Sequence, residues 1–247
     1  MGRHPSKVSR AEHGVAPPSA DDIRAWCEHC GAADQVPDLI ASLQAVEGTW
    51  VEWHQMEPTG LRRAQESVRP LYERARRFRV YCSALLPGIA QTEAYTRAIL
   101  TAIGRRRALQ DDVDDAVAVR MERQRFLYQG DHRYAMLIEE SALRAGIGGV
   151  EVMAGQLGHL ITVASLPNVS LGILPDRPDR DAAWPVESFW MFDDEQVAVE
   201  LVSGYLTVTQ PREIAMYVQV FTELAELAVY GAAARSLIMA AIEALDG

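Results

Sequence analysis

Between Pro5 and Gly14 the chain carries a segment bracketed like one short helix, and such a helix cannot stand alone. Pro5 suits the first helical position, where a missing N–H costs nothing, and Gly14 suits the position just past the end, where a positive φ is needed. Between them, Val8 and Ala11 make a small apolar seam, while Ser6, Lys7, Ser9, Arg10 and His13 offer donors suited to phosphates and base edges. Nucleating so short a helix is unfavourable, and its apolar face is too small to compensate. It needs a scaffold, yet only Met1-Gly2-Arg3-His4 comes before it. The pattern predicts the DNA-reading helix of a helix-turn-helix domain whose preceding helices are missing, with Ser6, Lys7, Ser9 and Arg10 as DNA contacts.

A chain of 247 residues with 49% hydrophobic and 23% charged residues can bury a real core, in one or two domains. No apolar run reaches the roughly 18 to 20 residues that a membrane span needs, and the N-terminus lacks a secretory apolar core. The expectation is a cytoplasmic protein with no membrane partner. The net charge of −10 is unevenly spread: residues 1–107 hold 15 Lys and Arg against 12 Asp and Glu, residues 108–247 hold 9 against 22. A basic front and an acidic back fit a front that meets polyanions, although a chance split of surface charge gives the same count.

Cys27 and Cys30 form a C-x-x-C, with Cys82 apart. Neither a second pair nor suitably placed histidines complete a zinc site, and no strand precedes the pair as a redox motif requires. Two small residues on a helix is the favoured reading, with no metal and no cofactor expected.

Pro17-Pro18-Ser19 reads as a stop and an N-cap, followed by a helix carrying Ile23, Trp26, Cys27 and Cys30 and closed by Gly31. A third helix follows Pro37 with Leu39, Ile40, Leu43 and Val46 inward. Residues 1–48 are therefore expected to be a partial helix-turn-helix domain of three short helices. Residues 49–81 are rich in Arg and aromatics, with seven Arg between residues 60 and 80 against Glu66 and Glu73. A nucleic-acid strip is one reading; a solvated helical linker is favoured. Residues 82–247 mix helices and strands: a helix over 91–103, another seeded by Asp111, Asp112, Asp114 and Asp115, strands at 134–138 and 169–174, a helix over 150–164, a hairpin around Asp193–Glu195, a strand at 205–208, and helices opened by Pro211 and Gly231. The fold class expected is α+β, mainly helical, with the three N-terminal helices followed by a helical and small-sheet effector domain.

Several segments, in order, resemble a known family. Leu86 to Ala98 is similar to the "PGLLQT-x-x-YAR-A" signature of actinobacterial Xre-type regulators, which join a lambda-repressor-like helix-turn-helix to a large C-terminal effector domain of uncharacterised function. Arg120 to Gln124 resembles their "R-x-x-RQ", Glu139 to Arg144 their "EEAALR", and Gly148 through Leu157 their "GG-x-x-x-M-x-x-QL". Val8 to Gly14 resembles their "VSR-I-E-x-G" recognition helix. The departure lies at the front, where the family's first two helices are absent. Either Met1 is an internal methionine taken as the start, which is favoured, or the gene is truncated.

The resemblance implies a DNA-binding transcriptional regulator whose C-terminal domain senses a ligand or binds a small partner protein, in an antitoxin-like arrangement for some members. A homodimer would read two half-sites of DNA. The chain as written lacks half the scaffold, so weak DNA binding or none is expected unless the missing helices are present. A polar cluster of Gln91, Arg123, Gln124, Glu139 and Gln156 recurs across the motifs and is the candidate ligand or partner pocket; polar groups that satisfy one another would look the same. The alternatives are a stand-alone binding module, or an enzyme using His54, His132 or His159 with Glu139, Glu140 or Asp131. No nucleophile elbow, metal-ligand spacing or cofactor loop accompanies those residues, so no enzyme is expected.

Overall fold

A computed structural model describes residues 18–36, 50–53, 60–109, 112–176 and 184–245, together with residues 9, 11, 13, 39, 40, 43 and 180. The chain divides into two compact units, Met1–Val51 and Glu52–Gly247. The fold is α+β and mainly helical. No helix among the described residues is long and apolar enough to cross a membrane.

In the first unit, α1 (Ala20–His29) begins at Ser19, as expected. The Ser19 hydroxyl accepts from the Asp22 amide at 3.2 Å and the Asp22 carboxylate accepts from the Ser19 amide at 2.8 Å, so two orphan amides at the helix start are satisfied together. Ile23 and Cys27 are buried four apart, whereas Cys30 is the exposed C-cap residue. Gly31 follows at φ 68°, where a glycine ends a helix without a Cβ penalty. Of the expected recognition helix, only Ser9, Ala11 and His13 are described: Ser9 is helical and exposed, and the His13 amide donates to its carbonyl. Ser6, Lys7 and Arg10 lie outside the described residues, as does most of the expected third helix.

The second unit is built on an eight-stranded sheet. Its strands are β1 (Trp50–Glu52), at which the first unit gives way to the second, β2 (Arg77–Cys82), β3 (Arg133–Glu139), β4 (Val169–Leu174), β5 (Phe189–Phe192), β6 (Gln196–Glu200), β7 (Gly204–Val208) and β8 (Val229–Tyr230), in the order β1-β7-β6-β5-β2-β3-β4-β8. At the centre β2, β3 and β4 run parallel, with Val80 opposite Met136 and Met136 opposite Leu171. Parallel neighbours require crossovers, and helices supply them. Before β2 come α2 (Gly60–Ser67) and α3 (Arg69–Arg74); α4 (Glu93–Arg107) and α5 (Val113–Arg123) link β2 to β3; α6 (Val150–Ala164) links β3 to β4. After the hairpins come α7 (Pro211–Leu227) and α8 (Gly231–Glu243).

Both faces of the central strands are covered. On one, Val80, Met136 and Ile173 pack with Tyr95 and Ile99 of α4, Met153, Leu157 and Leu160 of α6, and Ile238 of α8. On the other, Tyr81, Leu137 and Met191 pack with Ile214, Phe221 and Leu224 of α7. A strand buried on both sides reads as a continuous apolar run, and Val80-Tyr81-Cys82 is such a run. The stretch read as a helical linker thus contains a central strand. Arg77 and Arg79 disguised it: they leave the apolar set and pair instead with Asp194 of the β5–β6 turn, each at 2.7 Å. Elsewhere in the arginine-rich stretch, Arg62 pairs with Glu66 and Arg69 with Glu73, each at 2.9 Å, and Arg76 pairs with Asp131. On α4, Leu100 is buried and Ala102 is exposed.

Candidate ligand site

The segment Leu86–Thr92 crosses the buried side of the sheet as a turn and a short 3-10 helix, Gly88–Ala90. Its backbone groups must find partners without a ladder or a regular helix. Three glutamines supply them. Gln91 donates its side-chain N–H to the Leu86 carbonyl at 2.8 Å, and its Oε1 accepts from Thr96 Oγ1 at 3.1 Å and Arg120 Nη1 at 3.0 Å. Gln156, fully buried on α6, donates to the Ala90 carbonyl at 2.8 Å and accepts from the Thr92 amide at 2.6 Å. Gln124 donates to the Gln91 carbonyl. Thr92 then caps α4 by accepting from the Tyr95 amide at 3.3 Å.

Beside this knot, α5 places Arg120 and Arg123 three residues apart, on one face of the helix. Arg120 donates to Oε1 of Gln65 at 2.9 Å and to Oε1 of Gln91 at 3.0 Å. Arg123, 8% exposed, donates to the Gln65 carbonyl and to Gln65 Oε1, both at 3.2 Å, and lies 5.0 Å over the Tyr72 ring. Its Nε is buried without a hydrogen-bond partner. Neither guanidinium has a carboxylate within ion-pair distance among the described residues. Burial, reinforced by Arg123, lowers the Arg120 pKa to about 10, and burial raises those of Tyr72 and Cys82 to about 12. Gly88 closes the arrangement: a Cβ there would come 3.9 Å from Arg123 Nη2.

Of the five residues expected to share a pocket, Gln91, Arg123, Gln124 and Gln156 gather here. Glu139 does not. Cys82 packs on the side of this cluster, and Tyr81, its neighbour in β2, points to the opposite face, as successive strand residues must. Glu139 ends β3 on the Tyr81 side, 3% exposed, and accepts from the Tyr81 hydroxyl at 2.7 Å. Arg180 closes on it with two bonds, Nη1 to Oε1 at 2.9 Å and Nη2 to Oε2 at 2.7 Å. Desolvation, then the hydrogen bond to Glu139, drives the Tyr81 pKa far up, so this hydroxyl is a donor and not a base. Glu140 faces Arg144 at 3.1 Å and accepts from the Asp176 amide at 3.1 Å.

The other residues weighed for catalysis stand apart from one another in partners. His132 is buried, bonds the Ala75 carbonyl through Nδ1 at 2.8 Å and packs edge-on against Phe78 and Phe126. His159 is half-buried on α6, its pKa lowered by desolvation, with Nε2 lacking a partner. His54 lies outside the described residues. Sequence reading missed Gln65, Tyr72, Tyr81 and Arg180, and took Arg120 only as part of a motif. A signal was present for Arg120: its three-residue spacing from Arg123 puts both on one helix face.

The profile of a protein family described as a domain of unknown function (DUF5753) matches residues 66–240. The chain belongs to the DUF5753 family. The match spans the Tyr81–Glu139–Arg180 triad and all of the arginine–glutamine cluster except Gln65, which lies one residue before it. No curated protein matches the chain in sequence. Among solved structures it resembles NucT from Helicobacter pylori (13% identity, 69% of this chain and 92% of that one, TM-score 0.37). It also resembles Nuc from Salmonella typhimurium, titled a phospholipase D family member (9% identity, 68% and 90% covered, TM-score 0.36). A third likeness is to TrmBL2, titled an archaeal chromatin protein with a novel mode of DNA binding (14% identity, 94% and 72% covered, TM-score 0.36).

The expectation that the chain is no enzyme is not upheld: the solved structures that this chain resembles include NucT and a phospholipase D family member. The sequence argument rested on missing motifs, and a missing motif excludes only the chemistry that motif serves. The likeness itself assigns no reaction to this chain.

Proposed function

We propose that this chain is a DNA-binding transcriptional regulator, with residues 1–48 reading DNA through Ser6, Lys7, Ser9 and Arg10 and residues 82–247 sensing a small ligand. One observation carries the sensing half: a buried guanidinium with an orphaned Nε, beside a second guanidinium, held only by neutral amides. The DNA-reading half is supported by the resemblance of Val8–Gly14 to a recognition helix and by the division of the chain into two units, the first of which holds that segment. Gln91, Gln124 and Gln156 hold the sensing site in shape, and Arg123 faces the ligand. Glu139 belongs to the reading as a support on the far side of the sheet.

The test is selection of duplexes from a random pool at low salt by the chain joined to the two helices that the family resemblance places before Val8. Enrichment of one sequence is expected, with binding that weakens as salt rises. Lys7→Ala and Arg10→Ala should each weaken binding, a phosphate contact lowering the salt slope by about 1. An unenriched pool, or binding indifferent to both changes, would remove the regulator reading.

A further inference from the structure

The chain is strongly acidic, with 34 Asp and Glu against 24 Lys and Arg, so carboxylates outnumber the cations they could pair with. Arg62, Arg69, Arg77, Arg97, Arg125 and Arg144 each have an acidic partner, and others, such as Arg63, Arg105 and Arg212, stand exposed, where water answers the charge. Arg180, largely buried, is paired with Glu139. A guanidinium without a carboxylate costs most where it is buried. Arg123 is nine-tenths buried and Arg120 lies beside it, and both point at the amide oxygen of one residue, Gln65.

Each guanidinium carries five N–H donors. The bonds to Gln65 and Gln91 engage two donors on each arginine, and Arg123 Nε has none. A buried charge held by neutral acceptors recovers only part of its lost hydration. Glu200 lies near enough to act on Arg120 electrostatically but forms no ion pair with it, and it is exposed. Neither guanidinium therefore has an ion-pair partner within the described residues. The surroundings are flat: Tyr72 lies under Arg123, and Trp190 packs 6.1 Å from Tyr72, partly open to solvent.

We propose that Arg120 and Arg123 form an oxyanion-binding site in the second unit, and that it takes the phosphate group of a small molecule. A phosphate monoester carries close to two negative charges at neutral pH and three acceptor oxygens, which answers two guanidiniums and the idle Nε together. Arginine forks match such oxygens in pairs. Gly88 leaves the approach to Arg123 Nη2 free of a side chain, and the glutamine knot holds Gly88–Ala90 in place. The aromatic rings suit an organic part attached to the phosphate. This inference rests on the reading of the second unit as a ligand sensor and names the chemistry of its ligand.

The probe is inorganic phosphate, added to the full chain and compared with chloride at equal ionic strength, with unfolding followed by heat. Phosphate should raise the melting temperature saturably, and at ten times its Kd it should multiply the folded-to-unfolded ratio by about 11. Arg120→Gln and Arg123→Gln should abolish the saturable rise, while Arg97→Gln, on the exposed face of α4, should keep it. A second variant separates binding from structure. Arg123→Met removes an uncompensated buried charge, so without phosphate it should melt no lower than the parent, and with phosphate it should not respond. A marked fall in its melting temperature without phosphate would show Arg123 to be a structural strut and overturn the site, as would equal melting of the parent in phosphate and chloride. A chain that responds to phosphate but, joined to those two helices, enriches no duplex keeps this site and loses the regulator reading; one that binds duplex in that form yet ignores phosphate loses the site alone.

Discussion

At the residue scale, two buried arginines in one unit differ only in what they face, and that difference sorts their roles. Arg180 meets Glu139 with two parallel bonds, and Tyr81 adds a third to the same carboxylate. Once a carboxylate is buried, removing its cation is far more damaging than replacing the whole pair, because an unanswered charge stays behind. Arg180→Ala should therefore destabilise the second unit by about 4 kcal/mol, and Tyr81→Phe by about 2 kcal/mol, since the phenol contributes one hydrogen bond to a charged group. Urea unfolding followed by near-ultraviolet circular dichroism measures both. An Arg180→Ala loss no larger than that of Tyr81→Phe would mean that Arg180 is not the main support of the buried Glu139 side chain. Arg123, having no such partner, is expected to behave in the opposite way when replaced.

At the scale of elements, most helices and strands were readable from local pattern, and the failures have physical causes. The α6 and α7 helices, the β5–β6 hairpin and β3 follow their periodicity and their turn residues closely. Strand β2 was hidden because Arg77 and Arg79 alternate with buried residues, and their partner Asp194 lies more than a hundred positions away in sequence. Strands β1 and β8 are too short to carry a period. Asp112 shows the same limit more sharply. Read as an acid opening its own helix, it makes no side-chain cap there. Its carboxylate instead accepts from the amides of Leu61 at 3.1 Å and Arg62 at 2.9 Å, capping α2 from about fifty residues downstream. Gly60, at φ 77°, makes room for it: a Cβ there would stand 2.3 Å from Asp112 Oδ2. Asp112→Ala should cost about 1 kcal/mol, the ordinary worth of an N-cap, with no loss of helix at α5. A change confined to α5 in hydrogen exchange would reverse that assignment. The candidate site was legible to the same degree: the glutamines and Arg123 were found through their motifs, but Glu139 was grouped with them because sequence does not say which face of a sheet a residue takes.

At the scale of the whole chain, the division near Val51 separates a small first unit from one large enough to sustain its own core. The second unit buries apolar side chains on both faces of its sheet, and a stack of rings (Tyr72, Phe78, Tyr134 and Phe192) ties α3 to β2, β3 and β5, with Phe78 and Tyr134 at 4.6 Å. A domain approaching 200 residues buries about 70% of the surface its unfolded chain exposes, well above the size at which metals or disulfides become necessary. Its three cysteine-independent supports, the two-sided core, the aromatic stack and the glutamine knot, all lie within residues 60–245. The fragment 50–247, which keeps the edge strand intact, is therefore expected to unfold in one cooperative transition and to show a strong near-ultraviolet signal from the ring stack. A fragment with helical far-ultraviolet signal but no near-ultraviolet signal and no cooperative melt would mean that this core does not close by itself, and that the second unit takes its order from residues before Trp50.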